Sequence, residues 1–143
     1  MPMKIYFSLM PVLLLFLGLA GCAGGATTPY IPPDPPTQQE LDDLIGRWSG
    51  LTESETGLFD QLDLRFYMDS SNVMATVYLN NTYVDDVHVQ YDGDRVIFAS
   101  YSLMGDYGEF DGLIDHVRFT YIGSFYVQVG LSTTEGTFIL NKV

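Results

Sequence analysis

From Thr37 to Val143 the chain has no proline and alternates apolar with polar residues in short runs, a pattern that leaves few folds open. Leu62, Leu64, Phe66 and Met68 alternate with Gln61, Asp63, Arg65 and Tyr67. A period of two puts every second side chain on one face, so such a run is a strand with a single buried face. Val73, Ala75, Val77 and Leu79 repeat the pattern, and Val87, Val89 and Tyr91 set it against Asp86, His88 and Gln90. Val96 and Phe98 follow, then Leu113, Val117 and Phe119, then Phe125, Val127, Val129 and Leu131, and last Phe138 and Leu140. Turn-forming residues separate the runs at Asp69-Ser70-Ser71-Asn72, Asn80-Asn81, Asp92-Gly93-Asp94, Gly105 to Gly108, Gly123, and Ser132 to Gly136. Connections this short cannot hold crossover helices, so neighbours pair antiparallel as a meander. The expectation is an all-β domain of seven or eight strands closed as a small barrel, because closure removes the exposed edges. An open sheet or a β-sandwich is the alternative. Aromatic residues, 14% of the chain, supply core volume to so short a domain.

One helix precedes the strands. In Thr37-Gln38-Gln39-Glu40 the threonine oxygen can accept from a first-turn amide while Glu40 reaches back, a capping box. Leu41, Leu44 and Ile45 follow at helical spacing and Gly46 is a stop signal, which predicts a helix over 38–45.

The first 36 residues obey other rules. Lys4 gives a positive start, and Ile5 to Leu17 is apolar apart from Ser8 and Pro11. That is short for a membrane span and ends in small residues, the form of a signal peptide over 1–21. From Ala23 to Pro36 glycines give way to five prolines, which stiffen the chain toward polyproline II, so residues 22–36 read as a stalk. The domain itself is expected over 37–143.

Leu19-Ala20-Gly21-Cys22 resembles the lipobox of bacterial lipoproteins, an aliphatic residue and two small ones before cysteine. The resemblance implies cleavage between Gly21 and Cys22, a diacylglyceryl group on the Cys22 thiol and acylation of the new amino terminus. Two or three acyl chains suffice for stable anchoring where one does not. Ala23, in place of an aspartate after the cysteine, resembles the outer-membrane-sorted pattern of Gram-negative lipoproteins. The implied location is a bacterial membrane, with the domain facing the periplasm or the surface. Cys22 is the sole cysteine, so once lipidated it leaves no thiol for disulfides, metal clusters or catalysis.

Without Lys4 the chain carries 5 basic and 18 acidic residues, 5 − 18 = −13. Such a surface repels phosphates, which excludes nucleic acid as a partner and disfavours anionic headgroups.

Gly46-Arg47-Trp48-Ser49-Gly50, opening the first strand after a short helix, is similar to the G-x-W entry of lipocalins and calycins. Gly136-Thr137-Phe138-Ile139-Leu140 resembles the closing strand of small lipocalin-like domains in bacterial lipoproteins. The resemblance implies that Gly46 and Trp48 form a barrel floor closed by the helix, with Lys142 or Arg118 as the basic residue over the indole. The lipocalin C-terminal helix is missing, and the domain is shorter than a typical lipocalin.

No catalytic residue is assigned. His88 and His116 lie on alternating positions, near Asp86 and Asp115, without the spacing of a zinc site, and read as solvated strand histidines. Gly105-Asp106-Tyr107-Gly108-Glu109-Phe110-Asp111-Gly112 is rich in oxygen ligands but lacks EF-hand spacing, and reads as a loop shaped by glycine and aspartate. No serine sits in a G-x-S-x-G elbow and no glycine-rich phosphate loop precedes a helix, so neither catalysis nor a cofactor nor a metal is expected. Tyr67, Tyr78 and Tyr126 fall on the polar parity of their strands.

Two functions follow as expectations. One is a membrane-anchored barrel that binds an apolar or amphipathic ligand, its binding residues not assigned by the sequence. The other is a non-catalytic lipoprotein that presents a closed barrel to another envelope protein.

Overall fold

The alternating runs become eight strands in a computed structural model, which describes residues 32, 34–101 and 107–143. Cys22, Gly21 and the signal and stalk before residue 32 lie outside the described residues. Helix α1 (Gln38–Leu44) leads into β1 (Gly46–Ser54), β2 (Phe59–Asp69), β3 (Asn72–Leu79), β4 (Thr82–Tyr91), β5 (Arg95–Tyr101), β6 (Tyr107–Asp115), β7 (Thr120–Val129) and β8 (Ser132–Lys142). Each strand pairs antiparallel with the next, and β8 pairs back onto β1, from Trp48 opposite Lys142 to Ser54 opposite Gly136. The result is a closed, eight-stranded, up-and-down barrel of lipocalin-like form with one short helix.

The capping box forms as drawn from the sequence. Thr37 Oγ1 accepts from the Glu40 amide at 3.3 Å, and Glu40 accepts from the Thr37 amide at 2.6 Å. The helix ends one residue early, at Leu44, because Ile45 turns to extended geometry.

Inside, the aromatic side chains meet along the barrel. Trp48 stands edge-on to Phe66 and Phe66 to Tyr121; Tyr121 touches Phe138 at 4.7 Å between ring centroids, and Phe138 touches Phe110. Phe110 lies between Phe98 (4.8 Å) and Phe125 (5.9 Å) in a stack. Leu62, Leu64, Ala75, Val96 and Leu140 fill the space around them, all without exposed surface.

The sequence reading of the strands needs correction in several places, and Leu113, read with the buried face, points outward. Gly123 is not a turn but the middle of β7, facing Gly112 of β6. A Cβ on Gly123 would overlap the Asp111 carbonyl and the Gly112 Cα, so glycine there permits a close approach of two strands, and the Phe138 ring lies over the gap. For the same reason Tyr107 to Gly112, read as loop, is strand; Gly105 and Asp106 lie outside the described residues. Val117 and Phe119 are turn residues rather than core: Asp115 accepts from the Val117 and Arg118 amides, and Phe119 has φ +52°. Leu131, read as the end of a strand, is exposed at the β7–β8 turn, where Gly130 has φ +61°, and Ser132 to Gly136 is the start of β8.

Candidate functional site

The barrel has two unlike ends. At the first, α1 lies across the opening. Trp48 Nε1 donates to the Leu44 carbonyl at 2.7 Å, and both residues are wholly buried. Lys142 Nζ donates to the carbonyls of Asp42 and Asp43 (3.1 and 2.6 Å), satisfying groups that a helix C-terminus leaves without partners and placing a cation at its negative end. Tyr91 Oη, 3.0 Å from the Glu40 carbonyl and 2.6 Å from that of Gly93, spans helix and β4–β5 turn. Burial and four nearby carboxylates, Glu40 first, push its phenol well above the ordinary range. His116 closes the ring of contacts: Nε2 donates to the Gly93 carbonyl at 2.6 Å, and Nδ1 lies 3.2 Å from the Asp43 carboxylate.

This network is a floor, and it places several residues singled out in the sequence. Trp48 belongs to it through its bond to the Leu44 carbonyl, Gly46 opens β1 directly after the helix, and Lys142 pairs opposite Trp48 with its ammonium over the Phe119 ring, while Arg118 is exposed. The expectation of two solvated strand histidines fails for His116, which sits in the β6–β7 turn and is half-buried. His88 is exposed on the outer face of β4 opposite Met74, so the pair is not brought together. Among the described residues no three of His, Cys, Asp and Glu are grouped to hold a metal ion.

The opposite end is that of the β1–β2, β3–β4, β5–β6 and β7–β8 connections, of which residues 102–106 lie outside the described residues. There the inner wall carries Phe110 and Phe125 at the end of the phenylalanine stack, with Phe125 and Val127 only half-buried. Beside them are three polar residues. Thr52 donates to the Asp60 carbonyl at 3.3 Å, and Ser100, nearly buried, donates to the Asp85 carboxylate at 3.0 Å.

Asp85 faces inward with the parity of Val87 and Val89, and β4 bulges just before it. The register slips between Val77 and Tyr78, so that Val77 faces Asp85 while Tyr78 faces Tyr83. The extra residue lets Val84 pack on the core while Asp85 also reaches Ser100. The signal is in the sequence: in Val84-Asp85-Asp86-Val87 the apolar spacing lengthens from two to three. Asp85's second oxygen accepts from the Asp86 amide at 2.9 Å, while Asp86 itself points outward to Thr76 and Tyr83. An apolar wall ending in a hydroxyl and a carboxylate is a surface that can hold an aromatic or aliphatic body by one end and a hydrogen-bond donor by the other.

No family model and no curated protein matches the chain. Solved structures do. The structure of EF1p2_mFAP2b bound to DFHBI superposes with a TM-score of 0.55 at 13% identity, covering 73% of this chain and 98% of its own. A redesigned beta barrel, mFAP1, bound to DFHBI, superposes with a TM-score of 0.51 at 15% identity, covering 73% and 99%. At such identities the likeness is one of fold, and what it establishes is the closed β-barrel.

Proposed function

We propose that this chain is a membrane-tethered, non-catalytic binding module whose barrel takes a small apolar or amphipathic ligand at the end opposite α1. One observation carries the reading: an interior stack of Phe98, Phe110 and the half-buried Phe125 lies one inward step below Ser100, whose hydroxyl donates to Asp85. The core below, from Trp48 to Phe138, is filled by aromatic contacts, so the ligand sits shallowly against Phe110 and Phe125. Two barrels of similar fold hold a small molecule, DFHBI, which supports the reading. Native mass spectrometry of the chain, gently extracted from its own membrane, tests it. The expected spectrum shows a retained small molecule that Phe125→Arg loses while the melting temperature stays close to wild type. A bare chain in both spectra refutes it.

The tether rests on Leu19-Ala20-Gly21-Cys22 at the end of an apolar segment, with Ala23 favouring the outer membrane where there are two. Cys22→Ser removes the acylated thiol and should release the protein from the membrane fraction; unchanged partitioning refutes the anchor.

A second reading, a closed barrel that meets another envelope protein, is favoured by a row of exposed aliphatic residues on the outer wall.

A further inference from the structure

Strands β6, β7, β8 and β1 lie side by side, and their registers align four aliphatic residues that are far apart in sequence. Leu113 faces Ile122, Ile122 faces Ile139, and Ile139 faces Leu51. All four point outward, since the residues flanking them in sequence, such as Tyr121, Phe138 and Leu140, point in. Their exposures are 59%, 51%, 53% and 55%. At about 4.8 Å between strands the row is roughly 14 Å long. Single exposed aliphatics are ordinary on any surface; a contiguous row bordered by polar residues marks an interaction site.

The border decides what fits. One step toward the end opposite α1 the outward residues are Asp111, Ser124, Thr137 and Glu53, and one step further are Glu109, Tyr126 and Glu135. Most of these, with Glu55, line a cleft of about 400 Å³ alongside the row. Asp111 is paired with Arg95, but among the described residues no ion pair neutralises Glu53, Glu55, Glu109 or Glu135. Two barrels meeting side by side in the same orientation would set these carboxylates against each other, and a chain of net charge −12 gains nothing from an anionic lipid surface.

We infer that the β6–β7–β8–β1 wall docks a polypeptide partner whose aliphatic ridge is bordered on one side by lysine or arginine. The inference is independent of the ligand reading, because the row and the interior lie on opposite faces of the same strands. Row and border together cover on the order of 400 Å² on this side, the size of a transient contact.

A fluorescein-labelled amphipathic peptide of leucine and lysine is the probe, with a leucine–glutamate peptide of the same length as control, and the intact chain is titrated by fluorescence anisotropy. The expected result is saturable binding of the lysine peptide alone. Ile122→Ser with Ile139→Ser should weaken it about tenfold or more, since half of each side chain remains to be buried. Leu51→Ser with Leu113→Ser should act alike, which guards against misfolding of one variant, and Glu135→Lys should weaken binding as well. Melting curves within a few degrees of wild type would show that the fold survives. Equal binding by wild type and both serine variants would reduce the surface to bare charge attraction and overturn the inference. So would an absence of binding to the lysine peptide. Concentration-dependent dimerisation in sedimentation velocity, lost in the same variants, would overturn it in favour of a second copy of the chain.

Discussion

Trp48→Ala removes the centre of the barrel floor, and the cost can be worked from its contacts. The indole is wholly buried, stands edge-on to Phe66 at 6.5 Å and donates from Nε1 to the Leu44 carbonyl. Truncating a large buried aromatic costs about 3–5 kcal/mol, through lost transfer energy and the cavity left behind. The lost hydrogen bond adds about 1 kcal/mol unless water entering the cavity restores it. A domain of this size is held by about 5–15 kcal/mol, so the substitution consumes a large share of the total. With an unfolding entropy near 0.2 kcal/mol/K for about a hundred residues, 3–5 kcal/mol corresponds to a melting point lower by roughly 15–25 °C.

Trp48→Phe separates ring from hydrogen bond. It keeps a ring against Phe66 and loses the Nε1 donor and part of the volume, about 2 kcal/mol or roughly 10 °C. Melting by far-ultraviolet circular dichroism suits both variants, since Trp48 is the sole tryptophan and its own emission vanishes with it. An unshifted melt for Trp48→Ala would refute the floor as a stabilising unit, and equal losses for both variants would show that the ring's packing contributes nothing beyond the hydrogen bond.

Two further perturbations probe the walls. Gly123→Ala forces a methyl against the Asp111 carbonyl and the Gly112 Cα, groups of backbone that cannot swing away, and should cost about 1–3 kcal/mol by chemical denaturation; an unchanged midpoint would show that the strands separate freely there. Asp63 concerns pH. Burial raises its pKa, but hydrogen bonds from Ser49, Arg47 and Gln61 outweigh it and hold the carboxyl below its usual range. A depressed folded pKa means that its stabilisation is complete above the unfolded value of about 3.9 and disappears as pH falls through the folded value. Asp63→Asn should therefore lower stability at neutral pH by about 1.5–3 kcal/mol and flatten part of the acid loss, to which Glu40, Asp111 and Asp115, also depressed, contribute as well. Identical pH–stability curves for the two proteins would show that Asp63 is not among the groups responsible.

What the sequence discloses depends on whether its signal is local. The strand pattern is local, because period-two alternation is written into each run, and Thr37 to Glu40 spells out the cap that forms. β6 escaped because Gly108 and Gly112 occupy inward positions where glycine usually means a turn; at Gly112 the missing side chain leaves room for the Tyr121 ring and the β7 backbone. Val117 and Phe119 misled in the other direction, as apolar residues in a turn that Asp115 caps. Asp85 shares the parity of Val87 and Val89, while the bulge before it shows only as a lengthened spacing from Val84 to Val87. The aliphatic row had no local signal at all. Leu113, Ile122 and Ile139 become neighbours through the β6–β7–β8 registers, and Leu51 joins them only when β8 closes onto β1.

Closure also fixes what the row means. A slip of one residue in any of its four strands would turn the aliphatic side chain inward and its buried neighbour outward. In β7 and β8 that would expose Tyr121, Phe138 and Leu140, none more than 1% exposed, and carry Gly123 away from its close contact with Gly112. The filled interior therefore holds Ile122 and Ile139 outward, so their exposure follows from the fold rather than from a frayed edge. It follows that the two faces can be perturbed separately. Substitutions at Trp48 or Gly123 act on stability, and serine at Ile122 and Ile139 acts on docking while leaving the core contacts in place. Because the serine sites lie on the outer face and share no partner with Trp48, the stability changes should add to within about 0.5 kcal/mol. Strong coupling between Trp48→Phe and Ile122→Ser in a double-mutant cycle would mean that the outer row helps to hold the barrel closed, and its claim as a docking surface would weaken accordingly.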